Sequence, residues 1–386
     1  MAARALVNIG KIVSGDLESP VLSGDTIVVM DGKIAAIGNR GILKDFNVEQ
    51  VLDVNGTTVT PGLIDSHVHP VLGDFSPRQK TLDFMDSALH GGVTTMISAG
   101  EPHTPGRPKD AAGVKALAIL VHKSFKNFRP GGLKIHGGAI ILEKGLTEDD
   151  FAELAQEGVW LVGEIGLGSV KTPEEAAPMV GWAKQHGMKI AIHSGGTSIP
   201  GSSVVTADMV MEINPTVVSH TNGGPTALSP AEIDKLIDHT DLPLEIVQCG
   251  NIKAADYIAR RLKEKGQLGR IIIGNDAPSG SGIIPLGILR TVVQLASLSG
   301  ILPEKAIAMA SGNTAAIYGL NTSLIATGRE ADLVVMDAPI GSAGGDAMAS
   351  MQAGDIPGVS LVMIDGEIRV LKSRNTPPAT RQVILR

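Results

Sequence analysis

Thr60-Pro61-Gly62-Leu63-Ile64-Asp65-Ser66-His67-Val68-His69 decides how the rest of the chain is read. It is a short apolar run ending in polar residues, the pattern of a buried strand that delivers chemistry at its tip. In an extended chain residues i and i+2 share a face, so His67 and His69 point the same way. Downstream the texture recurs: apolar strands end near Gly100, Ile140, Gly166, Gly196, Gly224, Gly250 and Ala277, with helical stretches between them. Those stretches carry explicit starts. Thr147-Glu148-Asp149-Asp150 offers an N-cap and an acidic first turn. Thr172-Pro173-Glu174-Glu175 puts proline at the first helical position, and Ser229-Pro230-Ala231-Glu232 is a capping box with the same proline. The stretch 252–266 ends on a glycine stop. Eight strand–helix pairs over roughly 260 residues match the number and size of a (β/α)8 TIM barrel.

The flanks read differently. Runs 5–13, 26–37, 51–59, 331–336 and 359–370 are rich in Val and Ile, and Asp31-Gly32 and Asp365-Gly366 have hairpin-turn composition. Both ends therefore read as β. The expectation is a small β-sandwich domain built from residues 1–60 and 326–386, with the barrel, 61–325, inserted between them. The units share a layout and no residue motif, which argues against a propeller or a solenoid.

Composition narrows the function. Lys and Arg total 33 against 40 Asp and Glu, a net charge of −7, so nothing draws the chain to nucleic acid or an anionic membrane. Apolar residues at 43% exclude a disordered chain. Cys249 is the one cysteine among the 386 residues, which rules out an intrachain disulfide and a thiolate zinc cage. The first 30 residues mix charge into every apolar run, and no uncharged apolar window reaches 18 residues. A cytoplasmic enzyme with a small-molecule substrate is expected.

Barrel active sites form where the strands end. Strand four, 159–166, carries Glu164; strand five, 189–196, carries His193; strand six, 216–224, carries His220; strand eight, 270–277, carries Asp276. Each alone reads as an ordinary core or capping residue. With His67 and His69 they make six polar groups converging on one rim, which is costly without a partner. Imidazole and carboxylate donors without thiolate suit Zn2+, Fe2+ or Mn2+. Six donors suit two ions: His67, His69 and Asp276 at one, His193 and His220 at the other, Glu164 between them. Two ions about 3.5–4 Å apart share a water and bring its pKa near 7. Asp276 is then the proton shuttle, and the reaction is hydrolysis of an amide or a similar bond.

These residues carry a resemblance. The run 60–69, Gly312-Asn313-Thr314-Ala315-Ala316, and Gly328 through Ala331-Asp332-Leu333 are similar to signatures of the amidohydrolase superfamily. The resemblance spans the whole chain and implies a metal-dependent hydrolase with the roles above. Many of those enzymes bridge two metals with a carbamylated lysine at the end of strand four, where this chain reads Val162-Gly163-Glu164-Ile165-Gly166. A glutamate bridge resembles a branch that opens a cyclic enamide in nicotinate degradation. So do Pro77 to Thr81, His90 to Thr95, Pro105 to Asp110, His193 to Ser198, Asn222 to Thr226 and Gly274 to Ser279. This resemblance implies conversion of 6-oxo-1,4,5,6-tetrahydronicotinate to 2-formylglutarate and ammonia. It also implies an iron and a zinc ion, with iron at His193 and His220, and a homotetramer.

Such a substrate carries a carboxylate. Arg78 and Arg107, beside Lys80 and Lys109, have the bidentate geometry for it, though surface loops also carry cations for solubility. His136 reads as a substrate or oxyanion contact, or as a supporting residue. Thr197, Asn222 and Ser279 follow ligand-bearing segments and are donors to substrate or helix caps. His103 lies in a polar loop and is expected to be exposed, and Cys249 reads as a small buried residue at the end of strand seven. The alternatives are another cyclic amidohydrolase, of the dihydroorotase or imidazolone type, and a one-metal deaminase, which leaves Glu164 without a role. A non-catalytic scaffold is the remaining reading, and it would purify without stoichiometric metal.

Overall fold

The computed structural model describes residues 3–70, 78–104, 106–278 and 284–385, with the side chains of 78–83 outside that description. Eight central strands follow one another in chain order: β1 Leu63–Val68, β2 Val93–Ser98, β3 Lys134–His136, β4 Leu161–Ile165, β5 Lys189–Ile192, β6 Val217–Val218, β7 Leu244–Val247 and β8 Ile271–Gly274. β1, β2 and β3 form one parallel sheet, and β4 to β8 form a second. Parallel bridges span both seams, Ile140 to Val162 and Val68 to Ala277. Inside, Ile64, Ile97, Leu161, Val217 and Ile272 pack together, one residue from each of five strands.

The helices begin where the capping signals place them. The Thr172 side chain accepts from the Glu175 N–H at Pro173–Gln185, and Ser229 accepts from Glu232 at Pro230–His239. Helix Ile252–Glu264 buries Ala255, Ile258, Ala259 and Leu262, a 3–4 spacing that faces one side to the strands. Truncating Leu262 to Ala there costs about 2–5 kcal/mol. β3 stops four residues short of the expected Ile140. Gly138 turns the chain at φ 88°, and pairing resumes only at the Ile140 bridge.

Both chain ends form antiparallel-rich sheets. One has the order Ile384–Leu385, Val48–Asp53, Ala3–Val7, Thr26–Met30, Lys33–Gly38; the other Glu367–Leu371, Gly358–Ile364, Leu333–Asp337, Thr58–Pro61, Lys11–Val13, Val21–Leu22. A single apolar core joins them, with Leu6, Ile27, Val29 and Leu52 from the first and Ile12, Val59, Leu333, Val335, Leu361 and Met363 from the second. Asp31-Gly32 and Asp365-Gly366 turn two hairpins with both residues at positive φ, which Asp-Gly tolerates. Lys134, at the start of β3, ties the parallel strands to this part through Glu330, Asp332 and Asp365. No helix among the described residues is long and apolar enough to cross a membrane.

Candidate metal centre

Two groups of donors face each other beyond the C-terminal ends of the strands: His67, His69 and Asp276, and Glu164, His193 and His220. His67 lies in β1 and Glu164 in β4, while His193, His220 and Asp276 stand just past β5, β6 and β8. Strand pairing sets the first group. The Asp276 N–H donates to the His67 carbonyl and the His69 N–H to that of Ala277, both at 2.9 Å. Asp65 reinforces the seam, accepting from the N–H groups of His67 and Asn275 and from the Asn275 side chain. Its own burial pushes the Asp65 carboxyl up to about 7 against those hydrogen bonds.

The imidazoles are oriented through the nitrogen turned away from the centre. His67 Nδ1 donates to Glu245 Oε2 at 2.7 Å, His69 Nδ1 to the Gly100 carbonyl at 2.9 Å, and His193 Nε2 to the Gly196 carbonyl at 2.7 Å. A neutral imidazole has one N–H, so the opposite nitrogens present lone pairs. Those lone pairs face other acceptors. His67 Nε2 and His69 Nε2 are 3.3 Å apart, and His69 Nε2 is 3.2 Å from Asp276 Oδ1. His193 Nδ1 lies 3.0 Å from His220 Nε2, whose outer Nδ1 has no hydrogen-bond partner among the described residues. Acceptors crowded this way repel unless a positive charge sits among them. That is the fit a divalent cation requires, and the donor types suit Zn2+, Fe2+ or Mn2+.

Glu164 spans the groups. Its Oε1 lies 2.6 Å from His220 Nε2 and 3.9 Å from His193 Nδ1, while Oε2 lies 3.4 Å from His67 Nε2 and 3.7 Å from His69 Nε2. Burial raises the carboxyl, but His67 and His220 outweigh it and hold Glu164 well below the usual carboxylate range. Asp276 is likewise lowered against its burial by the His69, His67 and His220 imidazoles, which stabilise the anion when they are protonated. Both are anionic at neutral pH. His220 and Asp276 have φ of 33° and 55°, left-handed backbone that a non-glycine residue holds only when its surroundings fix it.

A cavity of about 450 Å3 opens onto this cluster, lined by His69, Glu164, His220 and Asp276. Of the residues proposed to touch substrate, Thr197 lines it, alongside Ser198 and Thr226. Asn222 does not. It is buried and clamps the backbone of Val247, accepting from its N–H at 2.7 Å and donating to its carbonyl at 3.0 Å. Arg107 pairs with buried Glu143 at 2.8 Å and lines a neighbouring cavity with Lys109 and Lys171. His136 packs edge-on to Trp160 and lines a third cavity with Lys134 and Glu330, and its burial, with Lys134 beside it, lowers its pKa to about 4. Trp160 immediately precedes β4, so His136 packs at the start of that strand, away from its metal-facing end. Ser279 and the Arg78 side chain lie outside the described residues.

Three residues take parts their sequence context hides. His103, exposed as a polar loop suggests, packs edge-on to His69 at 5.1 Å and lines the cavity. Cys249 is half-buried and lines the cavity, and its thiol donates to Asp276 Oδ2 at 3.3 Å, which corrects the reading of a small core residue. Glu245 in β7 is 1% exposed and holds His67. Its signal was one charge inside the apolar run 242–247.

Fold and donor set define a class. Residues 216–369 match the amidohydrolase family. The structure superposes on the crystal structure of enamidase, described as a new member of the amidohydrolase superfamily, with a TM-score of 0.96 and 64% identity over all of both chains. The chain belongs to the amidohydrolase superfamily, whose fold is the TIM barrel, and it is a hydrolase. Its sequence is 65% identical to enamidase from Eubacterium barkeri over 381 residues, 99% of each chain. Imidazolonepropionase from Clostridium tetani is 26% identical over 83% of this chain and 85% of its own. A β-aspartyl dipeptidase from Fervidobacterium islandicum AW-1 shares the fold, with a TM-score of 0.67 and 19% identity over 96% of each chain.

Proposed function

We propose that the protein hydrolyses a cyclic enamide, converting 6-oxo-1,4,5,6-tetrahydronicotinate and two waters to 2-formylglutarate and ammonia. The likeness to enamidase supports the substrate class. The observation that carries the mechanism is Glu164, one carboxylate whose two oxygens address two histidine groups. His67, His69 and Asp276 would hold one divalent ion, and His193 and His220 another, with Glu164 between them. Zinc and iron are the proposed pair, with iron on the His193 side. When bound, such ions supply Lewis acidity toward a carbonyl and lower the pKa of water.

The chain's own residues supply the rest. Asp276, anionic and oriented by His69 and the Cys249 thiol, takes a proton from the attacking water and returns it to the ring nitrogen as the C–N bond breaks. The water oxygen becomes part of the new carboxylate. The enamine left behind tautomerises to an imine, and a second water releases ammonia and leaves the aldehyde. Thr197, Ser198 and Thr226 line the approach and are proposed to hold the substrate's polar groups. The same reading makes the two parallel sheets one closed barrel over 61–325 and the terminal sheets a sandwich from 1–60 and 326–386. A cytoplasmic homotetramer completes it.

The test is ammonia release from 6-oxo-1,4,5,6-tetrahydronicotinate by protein whose bound metal is counted in the same preparation. Turnover that is lost on chelation is expected. Two metals without ammonia would discard the substrate and keep the centre, and protein that binds no metal would overturn both.

A further inference from the structure

Four histidines surround the centre, and the groups that orient them are not equivalent. His69 and His193 each donate their outer N–H to a backbone carbonyl. His67 alone donates to a carboxylate, Glu245. That carboxylate does more than hold one ring. Glu245 Oε1 accepts the Ser66 hydroxyl at 2.5 Å, and Oε2 accepts both His67 Nδ1 at 2.7 Å and the backbone N–H of His220 at 3.1 Å. So one oxygen touches one histidine of each donor group, across three strands.

The His220 bond falls where the backbone needs holding. His220 sits at φ 33°, and positions of this kind persist only when several contacts over-determine them. The Glu245 main chain adds another, its carbonyl accepting the Thr221 N–H at 2.9 Å. Gly274 in β8 makes room for the arrangement. A Cβ there would come within 2.7 Å of His67 Cβ and 3.2 Å of Glu245 Oε1. Glu245 itself is too deep to face the cavity, so it contacts neither substrate nor reacting atoms.

We infer that Glu245 is a positioning residue that couples the two metal-holding groups, fixing the His67 tautomer and the His220 backbone through one carboxylate oxygen. Outer carboxylates that hold a ligand histidine typically contribute 10–100-fold in metal affinity. Here the consequence reaches both ions. The inference rests on the two-metal reading above.

The experiment strips the full-length protein with chelator, titrates it with Zn2+ alone, counts bound metal, and records thermal unfolding of the metal-free forms. The parent protein is expected to bind two Zn2+; failure of this control would overturn the two-metal reading itself. Glu245→Ala is expected to weaken both binding steps by about 10–100-fold. Glu245→Gln keeps an acceptor for His67 and His220 and drops the charge, so it should fold like the parent and weaken the first group by about tenfold. Parental affinity in both steps, in Glu245→Ala or, if that variant does not fold, in Glu245→Gln, would overturn the inference. So would a folded Glu245→Ala that weakens one step only, or one that lowers metal-free unfolding while leaving both affinities unchanged.

Discussion

Two clusters of charged groups lie at opposite ends of the parallel strands, built from similar carboxylates and opposite in design. At the start of β3, Lys134 Nζ meets Glu330 at 2.5 Å, Asp332 at 2.7 Å and Asp365 at 2.7 Å, so the chain supplies its own cation. Past the strand ends, Glu164 and Asp276 stand among imidazole nitrogens only 3.0–3.3 Å apart, and among the described residues no lysine or arginine lines the cavity there. A closed cluster fixes a junction between two parts of the molecule. An open one is arranged to receive a cation from outside. The difference separates structural charge from chemical charge without reference to any relative.

Replacing members of each cluster should break different things. Asp276→Ala is expected to lower turnover at least about 10³-fold, within the range for a lost general acid–base group. Glu164→Gln should lose at least one metal ion while the chain stays folded. Steady-state ammonia release and metal counting check both, and a Glu164→Gln protein with two tightly held ions would erase the distinction. Lys134→Met should do the reverse. It leaves Asp332 and Glu330 without Lys134, while Asp365 keeps Arg129, and should cost about 1–3 kcal/mol in denaturant unfolding with metal content unchanged.

Glu101 is a third case, buried with neither a cation nor imidazole paired to it among the described residues. The Ser98 hydroxyl donates to its Oε1 at 3.3 Å, and Oε2 has no hydrogen-bond partner among the described residues. Burial raises its pKa from 4.5 to about 8. Between those values the folded chain holds a proton that the unfolded chain has released, so this group's contribution to stability falls as pH rises from 4.5 to 8. Glu101→Gln should flatten that slope by about 1–3 kcal/mol, read from unfolding at pH 5 and pH 8. An unchanged slope would mean that Glu101 is ionised in the fold and has found a partner.

What was legible in the sequence follows from how local each cause is. Helix starts are set within four residues, so Thr172-Pro173 and Ser229-Pro230 announced them. The shared face of His67 and His69 follows from strand geometry alone. Contacts between distant strands leave weaker traces. Glu245 reaches His67 across 178 positions, and its sign was a single charge in an apolar run. The packing of His136 on Trp160 and the pairing of Arg107 with Glu143 likewise depend on contacts outside their own segments, which local sequence does not carry.

The smallest expected effect is no effect. Metal loading should be indifferent to bicarbonate, because the group between the two histidine sets is a carboxylate that the chain already carries. A carbamylated lysine would need carbon dioxide and a lysine amine at the centre. Among the described residues no lysine lines the metal-facing cavity. The nearby Lys171 ammonium is turned outward to the carbonyls of Gly166 and Gly201. Reconstituting chelator-stripped protein with Zn2+, with and without bicarbonate, checks this directly. A requirement for bicarbonate would remove Glu164 from between the groups and, with it, the contrast between a cluster closed by its own lysine and one left open for a metal.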